Sequence, residues 1–246
     1  MRICLGILAC VVSVVLLFGC SSVQRKLLYF PSHKPGTNGL AEWKHEGELI
    51  GFAREVPAPK NVWLMIHGNG GQASDRAYAL PNFSEADSVF ILEYPGYGSR
   101  KGTPSRRSFD DATRQAYEHL RNRFSNLPVC VVGDSIGTGP ASILSTLPRP
   151  PDKIILVVPF DVLSKVAAEH YPLLPVRFLL HDNWNNIEAL AHYQGPLEIF
   201  AASRDTVIPI AHARNLAATK AQVVFHEFTG GHSDWPRNPL VQFHFP

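Results

Sequence analysis

Cysteine is nearly missing from the body of this chain, which has four in 246 residues. Cys4 and Cys10 fall within a leading apolar stretch, Cys20 closes it, and only Cys130 lies beyond. One thiol cannot pair internally, so a disulfide scaffold is excluded. Set in the apolar run Val129-Cys130-Val131-Val132 with no cation nearby, Cys130 reads as a buried thiol, not a nucleophile. An excess of one charge is also absent: 23 Lys and Arg stand against 21 Asp and Glu, which leaves no electrostatic footprint for nucleic acid. The cluster Arg100, Lys101, Arg106 and Arg107 reads as a solvated loop. Metal spacing is missing as well. His226-Glu227 opens like H-E-x-x-H, but Gly230 stands where the second histidine belongs and the next histidine is His232, so zinc finds no shared helix face. Gly96-Tyr97-Gly98 and Gly137-Thr138-Gly139 have Lys101 and Ser142 where a dinucleotide fingerprint needs its third glycine, and no phosphate loop is present. No cofactor is expected. Repeats and low-complexity segments are absent too.

What the chain does have begins with the apolar run at residues 3–18 behind Arg2. It is short for a membrane span and has the length and flanks of a signal peptide. Its end, Leu17-Phe18-Gly19-Cys20-Ser21-Ser22, resembles the lipobox of bacterial lipoproteins. The resemblance implies a signal peptide over 1–19, lipidation of Cys20, a lipidated N-terminus and linker over 20–44 (with Pro31, Pro35 and Gly36), and a body over 45–246. Ser21 is not the aspartate that marks inner-membrane retention in that family. The implied location is therefore the cell envelope, lipid-anchored at the outer membrane on the periplasmic side. An uncleaved short anchor is the alternative, and either keeps the body at a membrane. Arg25-Lys26 is placed to lie against anionic headgroups.

The body is long enough for one large α/β domain. Short apolar runs recur at 49–56, 62–66, 89–92, 129–132, 154–158, 197–200 and 223–225. Their hydrophobicity is continuous, not alternating, which indicates strands covered on both faces of a mostly parallel sheet. Helices are expected at 74–79, 108–124, 135–147, 163–170 and 210–218.

One strand end carries Gly133-Asp134-Ser135-Ile136-Gly137, a G-x-S-x-G turn leading into a helix. Such a turn holds its serine in strained backbone geometry with the hydroxyl exposed, and side chains in place of its glycines would collide with the neighbouring strand or helix. Ser135 is thus the candidate nucleophile. His67-Gly68-Asn69-Gly70-Gly71 follows another strand, and the backbone N–H groups of Asn69 and Ile136 could form a two-donor oxyanion hole. In such sheets the acid and then the histidine follow the nucleophile, each after a strand. Asp205 follows the run at 197–200 and His232 follows the run at 223–225. His232 can take the Ser135 proton while Asp205 fixes its tautomer. Asp161, after the run at 154–158, is the alternative acid. Asp234 reads as a loop cap, Asp134 as structural and His67 as a brace for its loop. His45, His119, His170, His181, His192 and His212 read as ordinary surface or partly buried residues.

HGNGG at 67–71, EYPGYGSRKGTPS at 93–105, GDSIG at 133–137, SRDTVIP at 203–209 and GGHSD at 230–234 resemble the α/β-hydrolase superfamily in order and spacing. The branch they most resemble holds the small serine hydrolases related to serine aminopeptidases and protein depalmitoylases. The resemblance implies an eight-stranded fold with helices on both faces and a short lid. It also implies hydrolysis of a carboxylic ester, thioester or amide through Ser135, Asp205 and His232, with peptidase activity the less favoured. The segment 161–196 is the expected lid, with Tyr171, Leu173, Leu174, Val176, Phe178, Leu179, Leu180 and Trp184 either rimming an acyl pocket or covering the sheet edge. A lipid-like acyl substrate suits the first reading. An acyltransferase and a catalytically silent lipoprotein that binds an envelope partner are the alternatives.

Overall fold

Residues 21–245 are described by a computed structural model; the expected signal peptide and Cys20 lie outside the described residues. Eight strands form one sheet: β1 (Ala41–His45), β2 (Glu48–Arg54), β3 (Val62–Ile66), β4 (Ser88–Leu92), β5 (Val129–Asp134), β6 (Ile154–Val157), β7 (Leu197–Ala202) and β8 (Val224–Phe228). Their order is β1-β2-β4-β3-β5-β6-β7-β8. The pairs β1·β2 and β2·β4 are antiparallel, and from β4 to β8 every pair is parallel. This is the expected mostly parallel α/β architecture.

The continuous apolar runs are explained by a core on each face. Along β3, Val62, Leu64 and Ile66 enter one cluster while Trp63 and Met65 enter the other. Strands β5 and β6 divide in the same alternation, with Cys130 buried on the second face. Each fully buried aliphatic side chain of this kind contributes about 1.5–3 kcal/mol. The first face is covered by α2 (Arg106–Arg123), α3 (Thr138–Ile143), α6 (Asn186–Leu190) and α7 (Ile210–Ala218). The second is covered by a 3-10 helix, Ala73–Asn82, and a C-terminal stretch through Trp235, Val241 and Phe243.

Helix α2 shows how local sequence fixes an element. Ser105 and Ser108 form a reciprocal capping box with both bonds at 3.0 Å. Phe109, Ala112, Thr113, Ala116, Tyr117 and Leu120 recur at helical spacing and are buried. The helix begins two residues ahead of the expected start, so Arg106 and Arg107 lie in its first turn and pair with Asp110 and Asp111 one turn on. The expected lid contains α4 (Leu163–His170), α5 (Val176–Leu179) and α6, short pieces and not a cap domain.

Over its described residues, 21–44, the expected linker is not the loose connection that its prolines and glycine suggest. From Ser21 it is folded: α1 (Ser21–Leu28) sits beside the lid, with Arg25 Nε 3.1 Å from Asp182 and the Gln24 side chain bonded to the Leu179 carbonyl. Tyr29 and Leu40 are buried. The backbone between them finds partners across the HGNGG loop, with Ser32 N–H donating to Gly71 O at 2.9 Å and Lys34 N–H to Gln72 Oε1 at 2.9 Å. A proline-rich segment can be ordered without regular structure when its polar groups are satisfied in this way. Strand β1 was also hidden in that stretch. Of its residues only Trp43 is buried, so it carries no apolar run.

Candidate active site

All three candidate catalytic residues sit where loops leave the carboxyl ends of central and neighbouring strands, where open α/β sheets place their ligands. Ser135 follows β5, Asp205 follows β7 and His232 follows β8. Ser135 has φ +54°, a strained value for a residue with a Cβ. The turn is enforced from both sides. A Cβ on Gly133 would stand 2.7 Å from the Ala141 Cβ and 2.8 Å from the Gly137 carbonyl oxygen, and one on Gly137 would be driven into the carbonyl oxygen of Ile66. Gly137→Ala should therefore destabilise by about 3 kcal/mol, lowering Tm by roughly 6 to 12 °C for a chain of this size. Thermal denaturation followed by circular dichroism checks it, and an unchanged Tm would contradict the close packing of β3 against this turn.

His232 Nε2 lies 2.9 Å from Ser135 Oγ, and its Nδ1 lies 2.7 Å from Asp205 Oδ2. The other oxygen of Asp205 accepts the backbone N–H groups of Val207 and Ile208, each at 2.8 Å, which fixes the carboxylate plane and leaves Oδ2 for the imidazole. Burial works against a charged His232, but its bond with Asp205, together with the charges of Asp205 and Asp134, outweighs burial and holds its pKa above the ordinary histidine value. A general base must be neutral. The value of kcat/KM should therefore fall with falling pH about a midpoint above the ordinary imidazole pKa, and a pH–rate profile of a soluble ester checks it.

The two loops that carry the candidate oxyanion donors are tied together. Asp134 Oδ2 accepts the Gly68 N–H at 3.1 Å, and a Cβ on Gly68 would approach that oxygen to 2.8 Å. Burial pushes the Asp134 carboxyl pKa up, against His232, Arg76 and the Gly68 N–H. Asn69 and Ile136 both line the cavity above Ser135. Ile136 lies in the first turn after the strand, where N–H groups have no intrahelical acceptor. The Asn69 side chain is fixed by the Tyr97 hydroxyl, which donates to its Oδ1 at 2.8 Å, by the Phe30 N–H at 3.1 Å, and by its own bond to the Leu28 carbonyl. His67 is fully buried, with Nδ1 2.7 Å from the Gly68 carbonyl, and burial lowers its pKa. Its Nε2 lies 3.7 Å from Glu93 Oε1, so the ring braces its loop from within.

Arg76 carries no motif in the sequence. Its guanidinium donates to the carbonyls of Gly68, at 3.3 Å, and of Gly70, and to the Tyr78 hydroxyl at 2.9 Å, clamping the HGNGG loop from the cavity side. Tyr97, although inside the motif at 93–105, and the 28–30 segment reach the site only through the folded chain. Asp161 proves to belong elsewhere. It is fully buried, with Oδ1 2.7 Å from His212 Nδ1 and Oδ2 2.8 Å from Lys165, while His212 Nε2 lies 3.2 Å from Glu169. Although burial opposes ionisation, the bonds from His212, Lys165 and the Val162 N–H hold Asp161 well below the usual carboxylate range. This network pins α4 to α7. Asp234 accepts the Gly231 N–H at 2.7 Å, as a loop cap does.

The cavity over Ser135 has a volume of about 700 Å³. Leu27, Leu28, Leu163, Val166 and Ala167 give it an apolar wall, and Asn69, Arg76 and His232 a polar one. A narrower apolar groove of about 110 Å³ runs between α1 and the lid along Leu174, Val176, Leu179 and Leu180, sharing Leu27, Leu28, Ala167 and Tyr171 with the main cavity. Trp184 is not part of either wall. It is buried against Gly139, where a Cβ would approach its ring to 2.5 Å, and its Nε1 donates to Asp110 at 2.7 Å. Among the described residues no cluster of three metal-ligating side chains occurs.

No family model matches the sequence. Over 232 residues the chain is 32% identical to the uncharacterized protein Rv2307c of Mycobacterium tuberculosis, covering 88% of this chain and 82% of that one. It is 27% identical over 202 residues to the lysophosphatidylserine lipase ABHD12 of Danio rerio, covering 74% of this chain but only 51% of the lipase. Among solved structures, TT1662 from Thermus thermophilus superposes with a TM-score of 0.65 at 22% identity, over 82% of this chain and 92% of that one. With its sheet order and its strained serine turn between β5 and α3, the chain belongs to the α/β-hydrolase superfamily.

Proposed function

We propose that this protein is a membrane-tethered serine hydrolase that cleaves a lipid-like carboxylic ester or thioester through an acyl-enzyme on Ser135. The observation that carries the proposal is the continuous contact from Asp205 through His232 to a strained Ser135 that lines the floor of an apolar-walled cavity. Ser135 Oγ attacks the acyl carbonyl while His232 Nε2 takes its proton, and Asp205 stabilises the imidazolium. The Asn69 and Ile136 N–H groups meet the developing oxyanion. The intermediate collapses as His232 protonates the leaving alcohol or thiol. Water then attacks the acyl carbon as His232 takes its proton, and His232 returns that proton to Ser135 Oγ as the C–Oγ bond breaks and the acid leaves.

The substrate class is supported by the apolar groove, which is placed to receive an acyl tail, and by the relationship to a lysophosphatidylserine lipase. The tether and the envelope location rest on residues 1–20 alone. Two measurements test the reading. A fluorophosphonate probe should label the Ser135 peptide, located by mass spectrometry. Across a series of p-nitrophenyl esters, kcat/KM should rise by up to about fourfold per added methylene until the groove is filled. A folded protein that takes no label at Ser135 would overturn the hydrolase, and a flat chain-length series would overturn the lipid-like substrate.

A further inference from the structure

Eight large hydrophobic side chains are strongly exposed among the described residues, and five of them, Leu27, Phe30, Tyr78, Tyr171 and Val207, line the cavity over Ser135. A sixth, Leu173, is 95% exposed in the turn that follows Tyr171. These residues come from distant parts of the chain, yet they gather around one opening while the rest of the described surface carries only Val224 and Leu240. Isolated exposed hydrophobes are ordinary; a contiguous set around a cavity marks an interaction face.

We propose that this rim is a bilayer-docking face, seated in the boundary between headgroups and acyl chains so that a lipid ester passes from the leaflet into the cavity without crossing bulk water. A bilayer is favoured as the occupant by where the chain arrives. The apolar run at residues 3–18 ends just ahead of α1, and α1 spans about 12 Å before its last turn delivers Leu27 and Leu28 to the cavity wall. A membrane holding either the lipid on Cys20 or the uncleaved run therefore lies beside the opening. Charge agrees: Lys26 on α1 and Arg177 on α5 are exposed cations beside the apolar rim, the pairing that binds interfaces carrying anionic lipid. The passage of substrate rests on the hydrolase reading, but the docking does not.

The test uses the full chain in phosphatidylcholine and phosphatidylglycerol vesicles whose acyl chains carry bromine, a contact quencher of tryptophan. Trp43, Trp63 and Trp184 are buried away from the cavity, and Trp235, which lines it, is common to every variant, so the emission a surface tryptophan adds over the unaltered chain reports on that tryptophan's surroundings. Leu173→Trp should add emission that the brominated lipid quenches, while Leu240→Trp should add emission that it does not. Equal behaviour of the two would overturn the proposal, as would self-association of the full chain in detergent that Leu173→Asp abolishes, since the rim would then be covered by a second copy. Leu173 stands outside the cavity wall. Leu173→Asp should therefore slow hydrolysis of a vesicle-resident ester about tenfold and leave a short soluble ester unaffected. If no ester of either kind is cleaved by the unaltered chain, the hydrolase reading fails and the quenching result stands by itself.

Discussion

Ser135→Ala is expected to reduce kcat on a short ester by about 10⁵- to 10⁶-fold, the loss that follows when a member of a cooperating triad is deleted. The substitution removes only Oγ. The turn that strains residue 135 is set by Gly133 and Gly137 packing against Ala141 and Ile66, so it survives in the alanine variant, and circular dichroism and Tm should stay close to those of the unaltered chain. Without Oγ the proposed acyl-enzyme has no attachment point, and His232 Nε2 loses the partner it holds at 2.9 Å. What remains is the acceleration that the oxyanion donors and cavity provide to attack by water, about 10³- to 10⁴-fold over solution. Rapid-quench measurement of the acyl intermediate checks the step directly. A variant retaining a hundredth of the original rate would mean that another group attacks. It would also separate an enzyme from a scaffold in the cell, because a scaffold tolerates the change.

The second large effect belongs to Asp205→Asn, expected to reduce kcat by about 10⁴-fold. Oδ2 accepts from His232 Nδ1 at 2.7 Å, while Oδ1 is held by the N–H groups of Val207 and Ile208. Those two donors force an asparagine to keep its carbonyl oxygen toward the backbone and present its NH₂ to the ring. The imidazole then accepts at Nδ1 and carries its proton on Nε2, facing Ser135 with a donor where an acceptor is needed. The same change removes the charge that raises the His232 pKa, so whatever pH dependence survives should have its midpoint at lower pH. The contrasting variant is Asp161→Asn. Asp161 faces His212 and Lys165, not His232, so its loss should appear as about 3–5 kcal/mol of stability with kcat on a short ester changed far less. Reversed outcomes for the two aspartates would assign the acid to Asp161.

The sheet and the three residues at its strand ends could be read from the chain because each signal was local. Val62–Ile66 is apolar throughout and buried on both faces, so the strand is visible without knowing its neighbours. The serine turn announces itself by glycines whose absent side chains are a local necessity. What escaped was carried by contacts between distant segments. The β1 strand has one buried residue and no pattern. Pro31, Pro35 and Gly36 signal punctuation correctly, but not that the punctuated segment is stitched to Gly71 and Gln72. Trp184 has the composition of a lid residue, and only the missing Cβ of Gly139 shows it to be core. Arg76 is one arginine among many until two glycine carbonyls converge on it.

The seating of α1 against Asp182 and Leu179 bears on the order in which the molecule is completed. The helix is made first among the described elements, yet its partners are synthesised more than 150 residues later. The segment just after it fastens Asn69, and His232 comes later still. Nascent or truncated chains should therefore be hydrolytically silent however well their central strands have formed, and the appearance of esterase activity would time the closing of the whole polypeptide, from its first helix to its last strand.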